Sequence, residues 1–205
     1  MILFRIRWLP FFLLPLIALA TSNAMAQDDQ NEHDAERYRW YLTAYAGAHA
    51  QEDINDVVTF QPKFEDNAYI GVVALAREFW HYKKYLSFEL EGQVAKHFNR
   101  DTHWEFVGAL VGRWNYFPWD KYVDTSLAVG DGISYYTEVS EVEEEENHDD
   151  DAQRALNYLL IEVALGLPEY PKWDLVFRIH HRSSIFGLVG EGGSNFVCAG
   201  IKFGF

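Results

Sequence analysis

The chain has 205 residues, a single cysteine and a formal charge of −14. So acidic a composition excludes nucleic-acid binding, because contacts to phosphate backbones need clustered Lys and Arg. One cysteine, Cys198, excludes an internal disulfide, so an exported fold must be held some other way, and closing a sheet on itself is one such way.

Export is expected from the start of the chain. Arg5 and Arg7 form a basic region, Leu9 to Ala20 an apolar core, and Ala24-Met25-Ala26 fits small-residue cleavage, which leaves Gln27 as the mature N-terminus. Residues 1–26 therefore read as a cleaved signal peptide. Their removal takes two positive charges and moves the formal charge from −14 to −16. Residues 27–36 are polar and read as a flexible segment, and roughly 180 mature residues suit one domain, here 37–205.

From residue 37 onward, polar and apolar residues alternate in eight segments, roughly 37–50, 69–80, 85–98, 103–117, 121–137, 155–167, 173–184 and 194–205. In the third, Leu86, Phe88, Leu90, Gly92 and Val94 share one face, and Ser87, Glu89, Glu91 and Gln93 the other. In the sixth, Leu159, Ile161, Val163, Leu165 and Leu167 oppose Glu162. Most of these segments are longer than ordinary soluble strands and suit tilted membrane spans. No apolar run beyond the leader reaches the length of a membrane helix.

The connections after the second, fourth and sixth segments are short: His81–Lys84, Pro118–Asp120 and Pro168–Lys172. Those after the first, fifth and seventh are longer, about 51–68, 138–154 and 185–193. The connection at Asn99–Thr102 is short as well. Alternation of short periplasmic turns with longer outer loops, and both termini on the periplasmic side, is the pattern of outer-membrane barrels. Trp114, Tyr116, Phe117, Trp119 and Tyr122 gather at one short turn, where an aromatic girdle belongs, and aromatics are 17% of the chain. The last segment presents Val197, Ala199, Ile201, Phe203 and Phe205 on one face, and a closing aromatic such as Phe205 is the expected handle for the outer-membrane assembly machinery. The fold expected is an all-β, eight-stranded antiparallel transmembrane barrel in the bacterial outer membrane. A soluble periplasmic β-protein is the reading that the alternation alone leaves open.

The connection between the fifth and sixth segments carries Glu141-Val-Glu-Glu-Glu-Glu-Asn-His-Asp-Asp-Asp151. Such a block is a solvated loop, with carboxylate binding of Ca²⁺ or Mg²⁺ as the alternative, although its spacing is not that of an EF-hand.

The seventh segment is chemically unusual. Its face Leu175, Phe177, Ile179 continues as His181 and Ser183, so two polar groups extend an apolar stripe near the outer leaflet. Same-face neighbours lie about 6.5–7 Å apart along a strand, within reach of flexible side chains. A neutral imidazole beside a hydroxyl is the minimum for a base-activated serine nucleophile. A strand that has already left the membrane would explain the same two residues without chemistry. His180, Arg182 and Arg178 face inward, where Glu89, Glu91, Glu105 and Glu162 can pair with them as a structural ionic plug.

The stretch His180-His-Arg-Ser-Ser-Ile-Phe-Gly187, followed by Gly192-Gly-Ser-Asn195, resembles the C-terminal region of PagL-like outer-membrane lipid A 3-O-deacylases and their acyloxyacyl-hydrolase relatives. Phe64-Glu65, Arg113-Trp114, Phe117-Pro-Trp119 and Gly130-Asp-Gly-Ile-Ser134 are similar to that group too. The resemblance implies an eight-stranded barrel with a Ser-His-Glu triad on its outer wall. His181 would be the base, Ser183 the nucleophile and lipid A of the outer-leaflet lipopolysaccharide the substrate, with no metal or cofactor. Ser184 stands where the family has an oxyanion-binding asparagine. Asn195 stands where the acidic member falls, so Glu191, the nearest carboxylate, is expected to orient His181. The departures at Ser184 and Asn195 support the rival expectation, a non-catalytic barrel with a structural or small-ligand-binding role.

Overall fold

The structure, a computed structural model, describes residues 39–50, 64–140, 153–183 and 193–205. The expected leader 1–26, the segment 27–36, the acidic run 141–151, Ser184 and Glu191 lie outside the described residues. Eight strands follow in order: β1 Trp40–Ala50, β2 Phe64–Tyr82, β3 Leu86–Asn99, β4 Trp104–Trp114, β5 Asp124–Tyr136, β6 Ala155–Gly166, β7 Trp173–Ser183 and β8 Gly193–Gly204. Each pairs antiparallel with its neighbours in sequence, and β1 pairs with β8, so the sheet closes into a barrel. At the seam the backbone N–H of Phe205 donates to the Trp40 carbonyl at 2.9 Å, and the Trp40 N–H returns the bond to the Phe205 carbonyl at 3.2 Å.

Alternation of side chains is what sorts the two faces of each strand. Along β4, Phe106 and Leu110 are exposed while Glu105, Val107, Ala109, Val111 and Arg113 are buried. The same inversion recurs around the ring: Leu42, Val73, Leu90, Val129 and Phe177 face outward, while Glu89, Glu91, Glu162, Arg178 and Lys202 are almost wholly buried inside. An apolar exterior around a charged interior is destabilised in water and suited to lipid, where closure leaves no unpaired strand edge. The barrel therefore spans a membrane.

Exposed aromatics crowd both rims. At the end holding the termini are Trp40, Trp80, Tyr82, Trp114, Trp119, Tyr122, Trp173 and Phe205; at the opposite end are Phe64, Tyr69, Phe98, Trp104, Phe106 and Tyr135. These are the girdles expected where rings meet both hydrocarbon and headgroups. Tight turns close the terminal end. Lys83 takes the left-handed φ of 48° in the β2–β3 turn, and the Asp120 carboxylate accepts from the Phe117 N–H at 2.6 Å in the β4–β5 connection.

Charge pairs and small residues fill the lumen together. Arg178 donates from Nη1 to Glu91 at 2.8 Å and from Nε to Glu162 at 2.8 Å. Arg113 bridges Glu89 at 2.7 Å and Glu162 at 2.8 Å, and Lys202 reaches Glu162 at 3.3 Å. Glu89, Glu91 and Glu162 are thus balanced by Arg113, Arg178 and Lys202, as buried charges require. Above them His180 bridges Glu105, at 3.0 Å from Nε2, and the Tyr45 hydroxyl, at 3.1 Å from Nδ1. Arg182 donates to the Arg154 carbonyl at 3.0 Å and lies over the Tyr136 ring. Gly200 gives Tyr45 room to enter, since a Cβ there would sit 2.5 Å from the Tyr45 Cβ and 2.2 Å from the Ala44 carbonyl oxygen.

Two expected boundaries move. The segment expected at 69–80 becomes the longer β2, Phe64–Tyr82. Asn67 in the left-handed region and a shift of register between Ala48 and Ala50 interrupt the period-two pattern there without ending the pairing. The fourth segment stops at Trp114, because the Asn115 N–H turns to the Tyr85 carbonyl and the chain bends through Pro118.

Candidate active site on the outer wall

The site is built by β7, its neighbours β6 and β8, and β5 beyond β6. Inward Val176, Arg178, His180 and Arg182 are buried, which fixes Leu175, Phe177, Ile179, His181 and Ser183 on the outward face. His181 and Ser183 therefore sit where strand alternation places them. Register supplies the surroundings. One row across the wall reads Asp131, Leu159, His181, Asn195, and the next reads Ile133, Asn157, Ser183, Gly193. A polar notch thus interrupts the apolar exterior over four adjacent strands, immediately below the aromatic row of Phe106 and Tyr135.

Each polar group in the notch has a defined partner or neighbour. His181 Nδ1–H donates to Asn195 Oδ1 at 2.6 Å. With Asn195 Oδ1 accepting, the imidazole takes its Nδ1–H tautomer and Nε2 carries the lone pair. That is the tautomer a general base needs, on the ring edge away from its orienting partner. Asn157 directs its Nδ2 to Asp131 Oδ1 at 2.9 Å and to the Gly132 carbonyl at 2.9 Å. Both of its donors are committed, so Asn157 holds Asp131 against the wall and leaves no N–H for an oxyanion beside Ser183.

A scan against protein-family models and a search of curated proteins give no match. Among solved structures, the chain is similar to the outer membrane enzyme PagL, at 12% identity and a TM-score of 0.54, over 80% of this chain and 99% of that one. It is also similar to Neisserial surface protein A (NspA), at 11% identity and a TM-score of 0.48, over 81% and 97%. This is the eight-stranded outer-membrane barrel fold. The likeness to PagL is one of architecture.

Of the residues singled out from sequence, His181 and Ser183 come onto one face, two residues apart. Glu191, expected to orient His181, lies outside the described residues, and His181 Nδ1 bonds Asn195. Sequence reasoning misses Asn157, Asp131 and the orienting part played by Asn195. An uncharged Asn195 does not draw notice as the partner of a base, yet a signal is present: it stands opposite His181 once β7 and β8 are paired through Ser183 and Gly193.

Proposed function

We propose that the protein is an outer-membrane serine esterase that hydrolyses an acyl ester of lipid A in the outer leaflet. The observation that carries this reading is the bond from His181 Nδ1 to Asn195 on the lipid-facing wall, beside Ser183. Polar side chains facing hydrocarbon are costly and call for a function, and an imidazole held in the base tautomer supplies one.

In the proposed reaction the Ser183 oxygen bonds to the ester carbonyl carbon while its proton passes to His181 Nε2. The carbonyl π pair moves onto oxygen. Collapse of the tetrahedral intermediate breaks the bond to the sugar-side oxygen, which leaves with the proton from His181. Water, deprotonated by the same imidazole, then cleaves the acyl-serine to release a fatty acid and restore Ser183. Asn195 positions the ring throughout, and Glu191, the nearest carboxylate in sequence, would supply a negative charge for the imidazolium. The fold neighbour PagL is an outer membrane enzyme, which is compatible with this reading.

A second reading, a non-catalytic barrel, has one specific observation in its favour: the partner of His181 is an amide, which stabilises an imidazolium far less than a carboxylate does. Mass spectrometry of lipid A from cells producing the wild type or Ser183→Ala separates the two. The esterase reading expects the wild type to yield lipid A short of one acyl chain and Ser183→Ala to yield the intact form. Identical acylation patterns would sink it.

A further inference from the structure

At the barrel end opposite the termini, the hairpin between β3 and β4 carries a group of residues that the esterase chemistry does not use. His97 lies near the end of β3, Asp101 in the turn, and His103 immediately before β4. Backbone geometry draws them together. Asn99 enters the turn with a φ of 75°, and the His97 N–H bonds the His103 carbonyl at 3.1 Å, closing the hairpin. One ligand atom from each of the three residues lies within 4.8 Å of the others, and all three side chains are buried, His97 and His103 to 2% exposure and Asp101 to 8%.

Three independent features prepare this group for a cation. First, His103 Nε2 is buried and has no hydrogen-bond partner. An orphaned imidazole nitrogen costs its desolvation with no return. Second, His97 Nε2 faces the Glu105 carboxylate at 3.1 Å. A ligating histidine typically gives its other nitrogen to a carboxylate in this way, which leaves Nδ1 with its lone pair toward the metal. Third, Ser140 Oγ donates to Asp101 Oδ2 at 2.5 Å, and Tyr136 packs on both imidazoles at centroid distances of 4.9 and 4.0 Å, so the donor set is oriented before any ion arrives. Arg182 over Tyr136 adds a positive charge, while Asp101 and Glu105 carry negative charge beside the two imidazoles.

We propose that His97, Asp101 and His103 form a binding site for a divalent transition-metal ion, with Zn²⁺ the best fit. Two imidazoles and one carboxylate suit zinc and its neighbours, whereas Ca²⁺ and Mg²⁺ take oxygen ligands throughout. Metal–nitrogen bonds of about 2.0–2.1 Å would draw together the three ligand atoms, which now lie within 4.8 Å of one another. The ion ties the β3–β4 turn to the lumen and keeps a coordination position for water. The site is separate from the outer-wall notch, and its presence does not depend on esterase activity.

The test uses the whole mature barrel, folded in zwitterionic detergent and checked for heat-modifiable gel migration. Zn²⁺ is titrated against a chromophoric chelator, and Co²⁺ is added separately to read its visible ligand-field bands. The expected result is one ion per chain with a Kd below about 10 μM, weakened at least tenfold in His103→Gln and in Asp101→Asn but unchanged in His81→Gln at the opposite rim. Binding equal in all four proteins would place the ion elsewhere, the acidic run 141–151 included, and would overturn the proposal. So would a wild-type Kd above about 100 μM. Should the variants not fold, X-ray absorption of the zinc-loaded wild type decides: two imidazoles in the first shell support the site, and one or none overturns it.

Discussion

Asn195 is the residue on which the outer-wall site turns. It holds His181 in the tautomer a base requires, and it supplies no charge for the imidazolium that follows proton transfer. A carboxylate in the same place would stabilise that imidazolium as well as orient the ring. Asn195→Asp is therefore expected to raise esterase turnover on lipid A in mixed micelles by at least about tenfold, and Asn195→Ala to lower it. Equal rates for the wild type and both variants would remove Asn195 from the proposed site. The faces of His181 and Ser183 are readable from sequence because period two assigns every outward residue once Leu175, Phe177 and Ile179 are placed. The bond to Asn195 is not readable, because it depends on β7–β8 register across a connection of unconstrained length. His97, Asp101 and His103 escape attention for a related reason: their proximity comes from the tight turn at Asn99, and alternation carries no information about turns.

Among the elements, β7 binds the barrel together from the inside. Arg178 alone joins Glu91 on β3 to Glu162 on β6, spanning the lumen. Removing one partner of a buried ion group leaves uncompensated charge and costs about 3–5 kcal/mol. Arg178→Met should lower the stability of the folded barrel by that amount, read from the urea midpoint of tryptophan fluorescence in lipid vesicles. The double variant Arg178→Met/Glu91→Gln should recover part of the loss, since it removes one of the stranded charges. A midpoint unmoved by Arg178→Met would mean that the ladder contributes no net stability. Strand β2 marks the limit of what alternation reveals at this scale. Its core, Tyr69 to Trp80, is legible, whereas the extension to Phe64 runs through polar residues and a left-handed Asn67 and belongs to the sheet only because β1 pairs with it at Ala50.

At the scale of the whole molecule, the exterior is an apolar surface, interrupted by the notch, whose middle row includes Val129, Ile161, Ile179 and Val197. A charged side chain at bilayer mid-depth on such a wall costs about 2–4 kcal/mol, falling to about 0–1 near the interfaces. Val129→Lys should therefore destabilise the vesicle-embedded barrel by about 2–4 kcal/mol, and Leu167→Lys, at the rim of short turns, by no more than about 1. Equal effects at the two positions would contradict a membrane-spanning belt centred on Val129. The eight-strand count and its closure are legible because outward apolar and inward polar residues alternate in nearly every segment. The identity of each buried pair is not, because several carboxylates lie within reach of each cation and only the closed geometry selects among them.

The seam between Trp40 and Phe205 has a consequence in time. β1 and β8 lie furthest apart along the chain, so the hydrogen bonds that complete the ring join the two extremes of the folded sequence. Until β8 arrives, β1 offers a bare edge, and an unpaired edge invites pairing with other chains. Contacts so distant in sequence also form slowly, since the loop between them must close first. Closure of this one seam is therefore what leaves the sheet without an edge.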